Sequence, residues 1–250
     1  MRKRWCVTLV IYLIGKVVIA QGAIENYEMG IHAGVVLYQG DLTPSAFGSY
    51  KTIRFVAGLH GNIVLSGAFS LRPNLDFGHL EGDDSKYNDR VWRQQRNFKF
   101  ERSFNEISAL LVWDIFGKNR EYFREGFSPY LVAGIGYTIF KGNRDYSNFH
   151  WSYFSNQPEV TAGLNSDIAR PELKGTPVLP FGFGVRYSLS PRISVNAETS
   201  YRLTTTDYID GFSLSADTKQ MDRYYTYTFG LIFSPWKKSS EGIKCPAINN

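Results

Sequence analysis

Residues 180–204 read PFGFGVRYSLSPRISVNAETSYRLT. In the first arm Phe181, Phe183, Val185, Tyr187 and Leu189 alternate with Gly182, Gly184, Arg186, Ser188 and Ser190. After a turn around Ser190-Pro191-Arg192 the pattern repeats: Ile193, Val195, Ala197, Tyr201 and Leu203 alternate with Ser194, Asn196, Glu198, Ser200 and Arg202. A period of two places successive side chains on opposite faces of a strand, so the stretch is a hairpin. One face is aromatic and apolar, and the other carries full charges among glycines and hydroxyls. That combination suits a strand with hydrocarbon on one side and a polar, packed lumen on the other.

Working outward, the same alternation recurs with its apolar set on odd-numbered residues. Ahead of the hairpin lie Tyr27 to Leu37, Phe55 to Leu59, Phe69 to Phe77, Ile107 to Ile115 and Leu131 to Ile139; behind it lies Tyr225 to Phe233. With the two hairpin arms this makes an even set, which lets the first and last strands pair and close the sheet. Closure is needed because an open edge in lipid leaves backbone groups unpaired. The expected fold is therefore all-β: an eight-stranded antiparallel transmembrane β-barrel with short periplasmic turns and long extracellular loops. Pro73 falls on an outward position, where it removes a ladder donor. The short connections are expected at 62–67, 117–126 and 190–192, and the long ones at 39–52, 79–96, 141–176 and 205–221. Tyr146, Phe149, His150, Trp151, Tyr153 and Phe154 make the longest loop aromatic near its start, as in a segment folded over the mouth or against a partner.

A barrel of eight strands has an interior just wide enough for side chains to fill. The inward charges Arg54, Arg72, Asp76, Arg186, Glu198 and Arg202 are expected to form a buried ionic network. Inward glycines make room for it.

The chain has 250 residues, 18 Phe, 16 Tyr and a formal charge of +5. Residues 1–20 read as a signal peptide: Arg2, Lys3 and Arg4, then the apolar run Trp5 to Ile14, then Val18-Ile19-Ala20 before Gln21. A membrane helix is the competing reading, opposed by the short run and by Gly15 and Lys16. Cleavage removes four positive charges and no negative ones, which lowers +5 to +1. The basic balance thus belongs mainly to the export segment, and nucleic acid is not an expected partner. Cys6 leaves with that segment. Cys245 remains alone, without an internal disulfide partner or a Cys/His zinc spacing. The domain plan is signal peptide 1–20, barrel 21–234 and a periplasmic tail 235–250, with outer-membrane lipids as the surrounding partner. No cofactor is expected.

Four segments, GIHAGVVLYQGDL (30–42), FSPYLVAGIG (127–136), LPFGFGVRYS (179–188) and YRLTTTDYID (201–210), resemble the PorG-like family of outer-membrane barrels from the type IX secretion system of Bacteroidetes. The resemblance implies a non-enzymatic role: anchoring or positioning the periplasmic ring formed by the lipoprotein PorK and its partner PorN. The family offers no catalytic residues to carry over. The turn at 117–126 is large and charged for a periplasmic turn, and the tail projects past the last strand. Lys118, Arg120, Arg124, Trp236, Lys237, Lys238 and Cys245 are therefore the expected contacts to the ring.

Two other function classes are compatible with a barrel of this kind. A small pore or surface-binding barrel would use the lumen or the outer loops. A lipid hydrolase or acyltransferase needs a nucleophile with a positioned base. The chain offers only His32, His60, His79 and His150, with no Gly-x-Ser-x-Gly elbow. His32 and His60 face inward on this register, as satisfied core histidines.

Overall fold

The computed structural model describes residues 27–44, 48–120, 126–216 and 221–235. Eight strands follow one another in chain order: β1 (Tyr27–Gln39), β2 (Arg54–Val64), β3 (Phe69–Asp83), β4 (Lys99–Asp114), β5 (Phe127–Asp145), β6 (Gly175–Ser188), β7 (Ile193–Thr204) and β8 (Arg223–Phe233). Each pairs antiparallel with its neighbours, and β1 pairs with β8, so the sheet closes. The signal-peptide region and the tail beyond Pro235 lie outside the described residues, as do Arg124, Trp236, Lys237, Lys238 and Cys245. No helix among the described residues is long and apolar enough to cross a membrane, which says nothing of strands.

Odd-numbered side chains face out, as the hairpin requires. Ile31, Phe55, Leu71, Ile107, Ile135, Phe183 and Phe229 are all exposed, Phe229 at 75%. Prolines leave marks in the ladder. The β2–β3 pairing runs from Leu59↔Leu75 and His60↔Asn74 to Ile63↔Leu71 but skips the rungs beside Pro73. The β5–β6 pairing likewise skips from Ala133↔Phe181 to Gly136↔Val178, beside Pro180. A ring nitrogen has no hydrogen to give the neighbouring strand.

Two of the long connections, β3 to β4 and β5 to β6, are shorter than the sequence pattern suggested, because their strands continue beyond the apolar belt. β3 runs on to Asp83, β4 begins at Lys99, and β5 extends to Asp145. The polarity of the two faces inverts there. On β4 the odd residues Glu101 and Ser103 are outward and exposed, while Phe100 and Phe104 are inward and buried. On β3 the outward Phe77 gives way to His79, and on β5 Ile139 gives way to Lys141. Only the phase of the alternation changes, so the odd-numbered apolar set ends before these strands do.

The inward apolar residues of this upper section belong to a second core. Tyr38, Leu80, Phe98, Phe100, Phe104 and Tyr224 pack with Leu42, Phe149, Phe154, Leu164, Ile209 and Phe212 from the long loops. Phe98 stacks on Phe212 at 4.1 Å and Phe149 on Phe154 at 4.9 Å. Two helices sit in the loops, α1 (Val91–Arg96) between β3 and β4 and α2 (Pro158–Ala169) between β5 and β6. The aromatic loop is thus part of a folded cap over the barrel mouth. Leu37, expected on the lipid face, is buried because Gly48 of the first long loop folds back beside it.

Candidate functional site

The even-numbered residues inside the belt fill the lumen with two linked sets of charges. Nearer the short turns, the Arg186 guanidinium donates to both oxygens of Glu28 at 2.6 and 2.8 Å. Asn62 donates to Glu28 and accepts from Arg72 Nε. Arg72 Nη1 then donates to Glu198 at 2.6 Å, and Tyr130 donates to the same carboxylate at 2.9 Å. Nearer the cap, Arg202 lies between Asp76 at 2.9 Å and Glu106 at 3.4 Å. Tyr224 donates to Glu106 at 2.7 Å, and His32 donates through Nε2 to Asp76 at 2.6 Å. His60 stacks on His32 and meets it Nδ1 to Nδ1 at 3.3 Å.

Five of the six expected network residues are therefore present: Arg72, Asp76, Arg186, Glu198 and Arg202. Arg54 is a correction. Its side chain is 38% exposed and pairs with Glu81 beneath the cap. It opens β2 above the belt, opposite Val36, where the inner face has turned apolar. Glu28, Glu106, Tyr130, Tyr224 and the two histidines complete the network. Their even-numbered positions carried that signal already.

Glycines shape the space. A Cβ on Gly30 would lie 2.3 Å from His60 Nε2, and one on Gly58 would lie 2.4 Å from both Asp76 Oδ1 and the Leu75 carbonyl. With the imidazoles seated there, the void between His32, His60, Arg72, Asp76, Glu198 and Arg202 is about 10 Å³. That is the space of about one water, too little for an aqueous path.

The cap is tied down by buried carboxylates. Asp84 accepts from Arg93 and Arg96 of α1 and from the Phe98 amide. Asp167 of α2 accepts from the amides of Ser213, Leu214 and Ser215 and from the hydroxyls of Ser215 and Tyr208. Burial and the Asp167 hydrogen bond push the Tyr208 phenol up to about 12. A cavity of about 760 Å³ opens between the loops, with Arg90, Trp92, Arg93, Tyr153 and Gln157 among its walls. At the other end, Lys118 and Arg120 lie on the short turn between β4 and β5, and Lys118 Nζ is 5.9 Å from the Phe116 ring centre.

The two histidines inside the barrel, His32 and His60, are held within the network. Outside it, His79 Nδ1 meets Ser103 Oγ at 3.2 Å, and no carboxylate among the described residues is bonded to that imidazole. Nor do three His, Cys, Asp or Glu side chains come together in a metal-holding group among the described residues.

A family model described as "Domain of unknown function (DUF6089)" matches residues 3–236. The chain belongs to this family. No curated protein matches it. Among solved structures, this DUF6089 barrel is similar to Neisserial surface protein A at 12% identity, with 84% of this chain and 97% of the other covered and a TM-score of 0.48. It is also similar to a major outer membrane protein from Thermus thermophilus, at 12% identity, 83% and 98% coverage and a TM-score of 0.44. The attachment invasion locus protein Ail of Yersinia pestis matches at 12% identity, 83% and 96% coverage and a TM-score of 0.41.

Proposed function

We propose that this DUF6089 protein spans the bacterial outer membrane as a non-enzymatic structural barrel, and that it positions the periplasmic PorK/PorN ring of a type IX secretion system. The observation that carries a structural role is the lumen, closed by ion pairs below and by a packed cap above. A barrel without a conduit works through its surfaces. The lipid-facing belt supports membrane insertion, since every strand carries exposed aliphatic or aromatic side chains on one face. The link to type IX secretion rests on the sequence segments quoted above, and the contacts to the ring are assigned to the short-turn end. Deleting 236–250 together with neutralising Lys118, Arg120 and Arg124 should abolish co-purification of ring subunits from gently solubilised membranes. Unchanged co-purification would overturn this assignment.

The cap cavity favours a second reading, a surface-binding barrel whose outer loops meet a ligand. Trp92→Ala would then weaken ligand capture by whole cells while leaving ring co-purification intact.

A further inference from the structure

The inversion of polarity along β3, β4 and β5 marks a boundary on the outside of the barrel. Below it Phe77, Ile107, Tyr137 and Ile139 are exposed on the outer face. Directly above it, one rung crossing three strands reads His79↔Ser103↔Lys141. Adjacent strands are about 4.8 Å apart, so the rung is roughly 10 Å wide. It forms the near edge of a groove of about 430 Å³ whose walls also include Lys99, Glu101 and Asp145.

The rungs differ in charge. Farthest from the belt, Lys99 stands opposite Asp145, and their charges offset. Glu101 lies one rung nearer, about 7 Å above Ser103 along the strand. The rung touching the belt has a full positive charge at Lys141, a hydroxyl and an imidazole, and no acid on its outward face. His79 and Ser103 are bonded to each other at 3.2 Å. Whichever of the two donates, one N–H or O–H remains for an outside acceptor. Cation and donors thus meet where an apolar face begins. The complement of that arrangement is an anionic head on an apolar tail.

We infer that His79, Ser103 and Lys141 form a binding site for a lipid-borne phosphate, with the acyl chains lying over Phe77, Ile107, Tyr137 and Ile139. The inference rests on the membrane-spanning reading above. A lysine near a membrane surface contributes about 1 kcal/mol toward an anionic lipid, or about fivefold in retention.

The test uses the full chain in detergent and native mass spectrometry with dioleoyl phosphatidic acid and, as the matched lipid without phosphate, dioleoylglycerol. Preferential retention of phosphatidic acid, weakened by at least about fivefold by Lys141→Glu and preserved by Lys141→Arg, is the expected result. Equal retention of both lipids, or unchanged retention by Lys141→Glu, overturns the site. Loss of the preference in millimolar inorganic phosphate overturns the lipid as its source. A protein that stays dispersed without any detergent would sink the membrane reading instead, so the two failures are told apart.

Discussion

The Tyr38 hydroxyl lies 2.9 Å from Asp210 Oδ2, joining residues 172 positions apart. Asp222 Oδ1 is hydrogen-bonded to the same hydroxyl. Two of the segments quoted above, 30–42 and 201–210, are thus brought together under the cap. A phenol has one hydrogen to give. With two carboxyls on it, one of them must keep its own proton.

Burial and the neighbouring Asp222 hold Asp210 well above the ordinary carboxylate range; burial, with Asp207 and Asp41 nearby, does the same for Asp222. The Arg102 guanidinium is within electrostatic reach of both carboxyls. A carboxyl whose folded pKa is raised contributes stability that is full below its unfolded value, about 3.9, and is lost as pH rises through the folded value. Amides of 205–216 should therefore exchange more slowly in acid than at neutral pH, after correction for intrinsic rates. Asp210→Asn, which supplies a neutral donor permanently, should flatten that dependence. A pH-independent wild-type cap would contradict the shared proton.

The lumen pairs should behave as buried charges do. Arg186→Met leaves Glu28 with its two strongest donors gone and is expected to cost about 3–5 kcal/mol. Adding Glu28→Gln should recover much of that loss, because it removes the stranded charge. Urea unfolding in lipid vesicles reads both variants.

Asp167 is fully buried and receives donors from loop 205–222. Asp167→Ala leaves those donors without an acceptor, at about 1–3 kcal/mol for each one left buried and unpaired. The barrel should survive, since none of its ladders passes through Asp167. Limited proteolysis should show new cleavage within 205–216 while the heat-resistant barrel band persists.

Phe229 is the most exposed apolar side chain on β8. Phe229→Arg should cost about 2–4 kcal/mol if the position is at the bilayer midplane, falling toward the interfaces. Vesicle unfolding measures it. A negligible cost would place this face in water.

A steric prediction concerns Gly34. A Cβ there would lie 1.9 Å from the Tyr227 carbonyl, a backbone atom of the paired strand. Gly34→Ala should force the β1–β8 seam apart and lower stability by about 1–3 kcal/mol. Slower folding into detergent micelles and an earlier urea midpoint are the readouts.

The alternation in the sequence by itself determined the strand count, the outward set and the inward charges, because a period of two is a local property of the backbone. Pro73 was legible as an interruption for the same reason. What only the tertiary structure decided was pairing across the lumen and above it. Arg186 with Glu28, Arg202 with Glu106 and Tyr38 with Asp210 are separated by 158, 96 and 172 residues. Arg54 shows the limit of the linear view: it has the inward parity, yet its height along the barrel puts it beneath the cap. Parity fixes which face a side chain takes, whereas closure and strand stagger fix its depth. Depth, in turn, decides whether an inward position meets an ion pair or an aromatic ring.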